Sequence, residues 1–322
     1  MIAIVSVVCF FTMFSGCRSE TSYYKPNWKA KDYFDDPKEI ALCQAIDRSD
    51  IAGIDKLIAE GVDINKKGKG GMTFLLWAYP TGEASFKRIL EHGGDPNVVY
   101  ENNFGYITND YKLSQGDTLI FLVIKSTRGP CNRYQKYKKQ FENYIQLLIK
   151  HGADIDFQRQ SPLTGTPLHH AVFPQNRKAI RQLLETGADL NALDAAKQTP
   201  MMKSPNYETI LLLLEAGTDY RIVDHYNGTI AHHIARHPPD NNVEHRKDYD
   251  KLVKWLAGHG ISVERAKTQL ETWRQRAEGK VPSSLTKEMI YGDDIPEGSQ
   301  APPPGPSTLT KEKLDEYVNN AP

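Results

Sequence analysis

The sequence predicts an all-α solenoid of about six helix-turn-helix repeats, with hairpin fingers and a C-terminal capping helix. Three observations carry that expectation. A signature of Gly-x-Asp-x-Asn recurs as Gly61–Asn65, Gly93–Asn97, Gly152–Asp156, Gly187–Asn191 and, altered, Gly217–Arg221. A leucine-rich helical stretch precedes each copy, as in Ile180-Arg181-Gln182-Leu183-Leu184-Glu185. Two of the helix openings that follow, Thr166-Pro167 and Thr199-Pro200, stand 33 residues apart. Self-similarity at that period marks a stack of supersecondary units, none of which can bury its apolar face alone.

Each residue of the pattern has a physical task. Thr caps the first helix by accepting from an early backbone N–H. Pro in the first helical position loses no donor that the helix needs. Leu and Ala at helical spacing bury against neighbouring repeats. The Gly after the second helix takes the left-handed cap conformation. Asp and Asn hold the turn that leads into the finger.

Thr166-Pro167-Leu168-His169-His170-Ala171 is the clearest copy of the opening. Thr199-Pro200-Met201 and Thr229-Ile230-Ala231-His232-His233 follow it, and Thr73 to Ala78 and Thr118 to Val123 are weaker versions. With these motifs the chain resembles the ankyrin repeat family over roughly residues 37–263, whose opening reads Thr-Pro-Leu-His-x-Ala. Repeat one runs from Ile40 to Asn65, with Ala41 to Ile46 as its first helix. Repeat three is expanded by a long finger, Val99 to Gln115, and by an insertion, Thr127 to Lys139, between its helices. A loop as long as that finger is often functional. Repeat six is stretched over His237 to His245 and closes on Gly258 to Val263 without the Asp-x-Asn turn, as suits a terminal repeat. Residues 264–279 then read as an amphipathic helix closing the stack.

The ends differ from the repeats. Residues 1–16 hold an apolar run, Ile2 to Phe14, followed by Phe14-Ser15-Gly16-Cys17. This resembles a bacterial lipoprotein signal with its lipobox. The resemblance implies cleavage before Cys17, acylation of its thiol and, with Arg18 rather than Asp next, sorting to the periplasmic face of the outer membrane. An ordinary secretory signal or an uncleaved anchor is the competing reading. Residues 17–36 are expected to act as a tether. Residues 280–322 are rich in Pro, Ser and Gly, and a mostly disordered tail is expected there. Within it Ser284-Leu285-Thr286-Lys287-Glu288 is echoed by Thr308-Leu309-Thr310-Lys311-Glu312, as a coincidence of two helix starts or as a pair of docking peptides.

Lys plus Arg and Asp plus Glu each total 40. A zero formal charge gives no reason to expect nucleic acid or a strongly acidic partner. Cys43 falls on the first helix of repeat one and Cys131 in the repeat-three insertion, too far apart in the stack to pair without a bent-back loop. Both are expected as thiols.

No catalytic set is legible. There is no Gly-x-Ser-x-Gly and no phosphate loop ending in Gly-Lys-Thr. Gly68-Lys69-Gly70-Gly71 falls at a finger tip, where a tight turn is needed. His169 and His232 occupy the motif position whose expected work is to bond neighbouring backbone and knit repeats. Adjacent histidines on a helix diverge, and Pro238-Pro239 are expected to end the helix before His233 and His237 can share an ion. No cofactor and no metal is expected.

The resemblance implies protein recognition by finger tips and first helices. The position after the motif His reads Trp77, Leu122, His170, Lys203 and His233, and these are the candidate concave-face residues. Trp77 is either an exposed anchor or a residue packed on repeat one. The long finger adds Tyr100, Phe104, Tyr106 and Tyr111, which either contact a partner or fold the loop onto its neighbours. A lipobox joined to such a solenoid resembles immunity lipoproteins that sterically block toxic phospholipase effectors of type VI secretion. The alternatives are a periplasmic scaffold supporting envelope enzymes or oxidative-stress defence, and a metal-dependent enzyme.

Overall fold

The computed structural model of the chain describes residues 27–101, 106–108, 111–126, 143–159, 165–173, 176–278 and 294–319. Helix pairs follow one another in the order the motifs predict. After a single turn of helix, α1 (Ala30–Tyr33), they are α2 (Pro37–Asp47) with α3 (Ile51–Ala59), and α4 (Phe74–Ala78) with α5 (Glu83–Glu91). Next come α6 (Leu119–Ser126) with α7 (residues 143–150), and α8 (Pro167–Val172) with α9 (Arg177–Thr186). The last two pairs are α10 (Pro200–Lys203) with α11 (Tyr207–Glu215), and α12 (Ile230–Arg236) with α13 (Val243–Gly258). First helices stack on first helices, α2 on α4, and α6, α8, α10 and α12 in series. The final α14 (Val263–Glu278) packs on α12, where the first helix of a further repeat would stand. The fold is an all-α solenoid; its one sheet among the described residues is a small hairpin in the long finger.

The caps explain where helices begin. Thr73 accepts from the Leu76 N–H, and Thr166 and Thr229 form capping boxes with His169 and His232. Second helices start on side chains of Asp50, Asn176, Asn206 and Asn242, each accepting from a backbone N–H in the first turn. Such caps stabilise a helix by about 1 kcal/mol each.

The Gly-x-Asp-x-Asn signature has two jobs. Its Gly holds positive φ, +86° at Gly187, so that the chain leaves the helix without a Cβ clash. Its Asp accepts from the N–H two residues on, as Asp95 does from Asn97 at 2.8 Å. Its last residue reaches into the next repeat. Asn65 donates to the Gly93 carbonyl and accepts from the Asp95 N–H, and Asn97 does the same to Gly152 and Asp154. Asp156 accepts from Asp189 and Asn191 from Asp219, so the ladder runs the length of the stack. Arg221 ends it, turning back on Asp219 at 2.8 Å.

Two departures from the sequence expectations involve the ends, and the long finger shows a strand pair where a hairpin finger was expected. Residues 27–36, assigned to the tether, are docked: Phe34 is buried and stacks on Phe74 at 4.6 Å, and Trp28 lies 5.6 Å from Trp77. They cover the Phe74 and Trp77 rings on the first helix of repeat two. The long finger carries its own hairpin, β1 (Tyr106–Thr108) antiparallel to β2 (Tyr111–Lys112). Its base is closed by the Tyr100 N–H to the Asp117 carbonyl at 3.0 Å and by Gly116 N–H to the Tyr100 carbonyl at 2.7 Å. Residues 294–319, expected to be disordered, lie along the solenoid and end in α15 (Lys311–Asn319). They are held because the Pro-rich stretch offers its carbonyls and a few apolar side chains to the repeats, which composition averages conceal. The Cys17 and Cys131 positions, the insertion Thr127 to Lys139 and the first echo at 284–288 lie outside the described residues; Cys43 is buried.

Candidate protein-binding groove

The first helices and fingers of repeats three to six enclose a groove of about 880 Å³. His170, Lys203 and His233, at the position after the motif His (the Lys203 copy lacks the His), all line it. They face the groove because the motif residue one step earlier is committed elsewhere. His169 Nδ1 bonds Thr166, and its Nε2 lies 3.0 Å from the Gln198 carbonyl of the next repeat. His232 repeats the cap with Thr229, and its Nε2 meets Gln269 Oε1 on α14. Those two rings are structural, as expected. Burial pushes both below the ordinary imidazole range, His232 to about 4.

The groove presents rings more than charge. His170 meets Phe121 edge-on at 5.0 Å, and His233 lies 5.3 Å from His237. Burial, then the neighbouring His237, pushes His233 down to about 4, so it is neutral near pH 7. The cations at the wall are neutralised by carboxylates: Lys203 by Asp194 at 2.8 Å, and Lys125 and Arg159 by the fully buried Asp117 at 3.0 and 2.8 Å. Two large apolar side chains project at the rim, Phe173 at 64% exposure and Tyr226 at 57%. An aromatic rim over a largely apolar, charge-compensated groove suits a polypeptide surface, where aromatic anchors supply area at low entropic cost. Among the described residues it offers no unpaired cationic track for a phosphate backbone.

Trp77 and Leu122 do not reach such a surface. Trp77 is buried, donates from Nε1 to Asp47 at 2.7 Å and sits 6.0 Å from Tyr33, so of its two readings the packed one holds. Leu122 is in the core. Tyr100 is also buried, its hydroxyl 3.0 Å from Thr73 Oγ1, and burial raises its pKa; it fastens the finger to repeat two. Phe104 lies outside the described residues, as do the side chains of Tyr106 and Tyr111, whose backbone forms the hairpin. Phe173 and Tyr226 were not foreseen. Tyr226 stands in a finger tip whose turn Asp224 holds through the Tyr226 and Gly228 N–H groups, so finger register was the signal that could have found it.

Gly68 to Gly71 form a tight turn, with Gly70 and Gly71 at positive φ and the Gly68 N–H on the Met72 carbonyl. The α12 helix stops at Arg236, before Pro238. Among the described residues no group of three or more His, Cys, Asp or Glu side chains could hold a metal ion, and no helix is long and apolar enough to cross a membrane.

Residues 136–224 match the family model for ankyrin repeats in three copies. A protein of Rickettsia felis named for ankyrin repeats is 30% identical over 45% of this chain and 40% of its own length. One of Acanthamoeba polyphaga mimivirus, similarly named, is 27% identical over 56% of this chain and 26% of its own. The mitochondrial disaggregase of Bos taurus is 24% identical over 57% of this chain and 24% of its own. The chain thus matches less than half the length of each of these relatives. Within residues 136–224 the helix pairs match ankyrin repeats, which are protein-interaction modules.

Proposed function

We propose that this chain of ankyrin repeats is a lipid-anchored protein of the bacterial envelope that binds a toxic, phospholipase-type effector and blocks it sterically. One observation carries the binding part: the aromatic rim of Phe173 and Tyr226 above the groove of repeats three to six. The lipobox-like Phe14-Ser15-Gly16-Cys17 motivates the envelope, and the pairing of such a signal with a solenoid motivates the immunity role. A largely apolar, charge-compensated groove fits the mouth of another protein better than a small charged substrate.

The docked segment from Asn27 onward adds a distance. If Cys17 carries lipid, residues 18–26 link it to the solenoid, and a fully extended chain of that length spans about 30 Å. The groove is thereby confined close to the membrane that a phospholipase attacks, which raises its effective concentration there.

The test has two arms. Deletion of the gene is expected to make cells sensitive to a sibling strain delivering the effector, and undiminished survival ends the immunity reading. Mass spectrometry of the membrane-extracted protein is expected to find acylated Cys17, with Cys17→Ala protein in the soluble fraction; an unmodified N-terminal signal ends the anchor reading. Recovery of a different envelope enzyme with the purified protein would favour the scaffold alternative.

A further inference from the structure

The convex side of repeats four and five carries an occupied receptor. The α15 helix packs on α9 and reaches α11, antiparallel to both. Its start is fixed at the C-terminal end of α11, where Lys313 meets Glu215 at 2.9 Å and the Thr308 N–H caps the Glu215 carbonyl at 2.8 Å. Its end is fixed at the N-termini of α9 and α11. There the Tyr317 hydroxyl meets Thr209 Oγ1 at 2.8 Å, and the Arg177 guanidinium covers the Tyr317 ring at 4.5 Å while donating to the Tyr317 carbonyl. Leu314 and Tyr317, one turn apart on the same face, are the two buried side chains of α15. Arg181 pairs with Asp315 between them.

The docking of α15 buries polar groups of the stack: under it Arg177 is only 8% exposed and Thr209 is fully buried, although both stand on second helices, the layer that normally faces water. Arg177 is also held by Glu208 at 2.6 Å, which aims it at the incoming ring. The occupant owes its helical form to the docking. A nine-residue helix does not persist alone in water, and α15 reaches the solenoid through Ala301-Pro302-Pro303-Pro304-Gly305-Pro306.

The geometry points to the α9–α11 groove as a second protein-binding site, specific for an amphipathic helix bearing Leu at i, an acid at i+1 and Tyr at i+3, with α15 as its built-in competitor. A partner helix with that pattern makes the contacts α15 makes, by laying its apolar face into the groove. It enters when the tail leaves, and the short strap gives the tail a high effective concentration that keeps the site closed to weak ligands. The proposal is independent of the concave groove and of the envelope reading.

The test uses the full chain and a fluorescent peptide spanning residues 306–322, read by anisotropy. In L314A/Y317A protein the tail no longer competes, and the peptide is expected to bind about tenfold or more tightly than to the unaltered chain. Adding Arg177→Ala to that protein is expected to remove the gain. A peptide of residues 284–293 begins alike but has Asp293 in register with Tyr317, and no binding is expected. Equal weak binding by both proteins, or equal binding of both peptides, overturns the proposal. So does loss of solenoid helicity by circular dichroism in the double variant, which would make α15 part of the core. Amide exchange in the unaltered chain gives a second reading: α15 must exchange faster than α9 and α11, and simultaneous exchange overturns it.

Discussion

The two halves of the solenoid use the same motif position in opposite ways. In repeats two and three the residue after the motif His position is apolar and buried, Trp77 and Leu122; in repeats four to six it is His170, Lys203 and His233 on an open groove. The difference lies partly in what packs over the first helices. Residues 27–34 cover the N-terminal end, stacking Phe34 on Phe74 and bringing Trp28 to Trp77. The C-terminal end is covered on a different side, by α14 against α12 and by the tail along the second helices, and the concave side stays open. A repeat therefore supplies a position, and its neighbours decide whether that position is core or surface.

The sharpest break of this comparison is at the filled end. Trp77→Ala removes a buried ring and one donor to Asp47, and is expected to cost about 3–5 kcal/mol in urea unfolding. A loss under about 1 kcal/mol would mean that Trp77 is a surface anchor after all.

Acid comes next, and it acts on the open half. His232 is buried in its cap with a pKa near 4 against 6.5 unfolded, and His169 is lowered by burial too. The unfolded chain takes up these protons first. Stability is complete above about pH 6.5 and falls as pH drops from there towards 4, by up to on the order of 3 kcal/mol from His232. A urea midpoint that stays flat between pH 7 and 4.5 contradicts the neutral cap.

The turn ladder is shared by both halves, and each rung should respond by the number of bonds it carries. Asn97→Ala loses two inter-repeat hydrogen bonds and is expected to cost about 1–2 kcal/mol by thermal or urea unfolding. Asn191→Ala loses one and should cost less. If neither changes the midpoint, stacking of apolar faces alone sets the register.

The smallest stability effect belongs to the groove rim. Phe173→Ser and Tyr226→Ser should each stay within about 0.5 kcal/mol of the parent, while capture of the proposed protein partner falls about tenfold or more. Stability loss without binding loss would place these rings in the core of a different packing.

Much of this arrangement was legible in the residues. The Thr caps, the Gly turns and the structural role of His169 and His232 follow from local rules, since each acts within one repeat or on its immediate neighbour. The candidate surface was half legible. Spacing put Trp77 and His170 at one position of the motif, but nothing local separates a Trp that is covered from a His that is not. Phe173 and Tyr226 escaped notice because they sit just past a first helix and in a finger tip, outside the repeated words. The docking of residues 294–319 was not legible because composition averages over residues; two buried side chains, Leu314 and Tyr317, dock its helix, and the Tyr317 partners Arg177 and Thr209 are more than a hundred residues away.

The sequence by itself determined the repeat, its phase, its caps and the direction in which the stack grows, because periodic side chains within a repeat encode these through short-range hydrogen bonds and helical spacing. Only the tertiary structure decided which faces of that stack are covered. Coverage depends on where the non-repeating ends land, and an end that contributes two or three buried side chains leaves no period in the sequence to announce it.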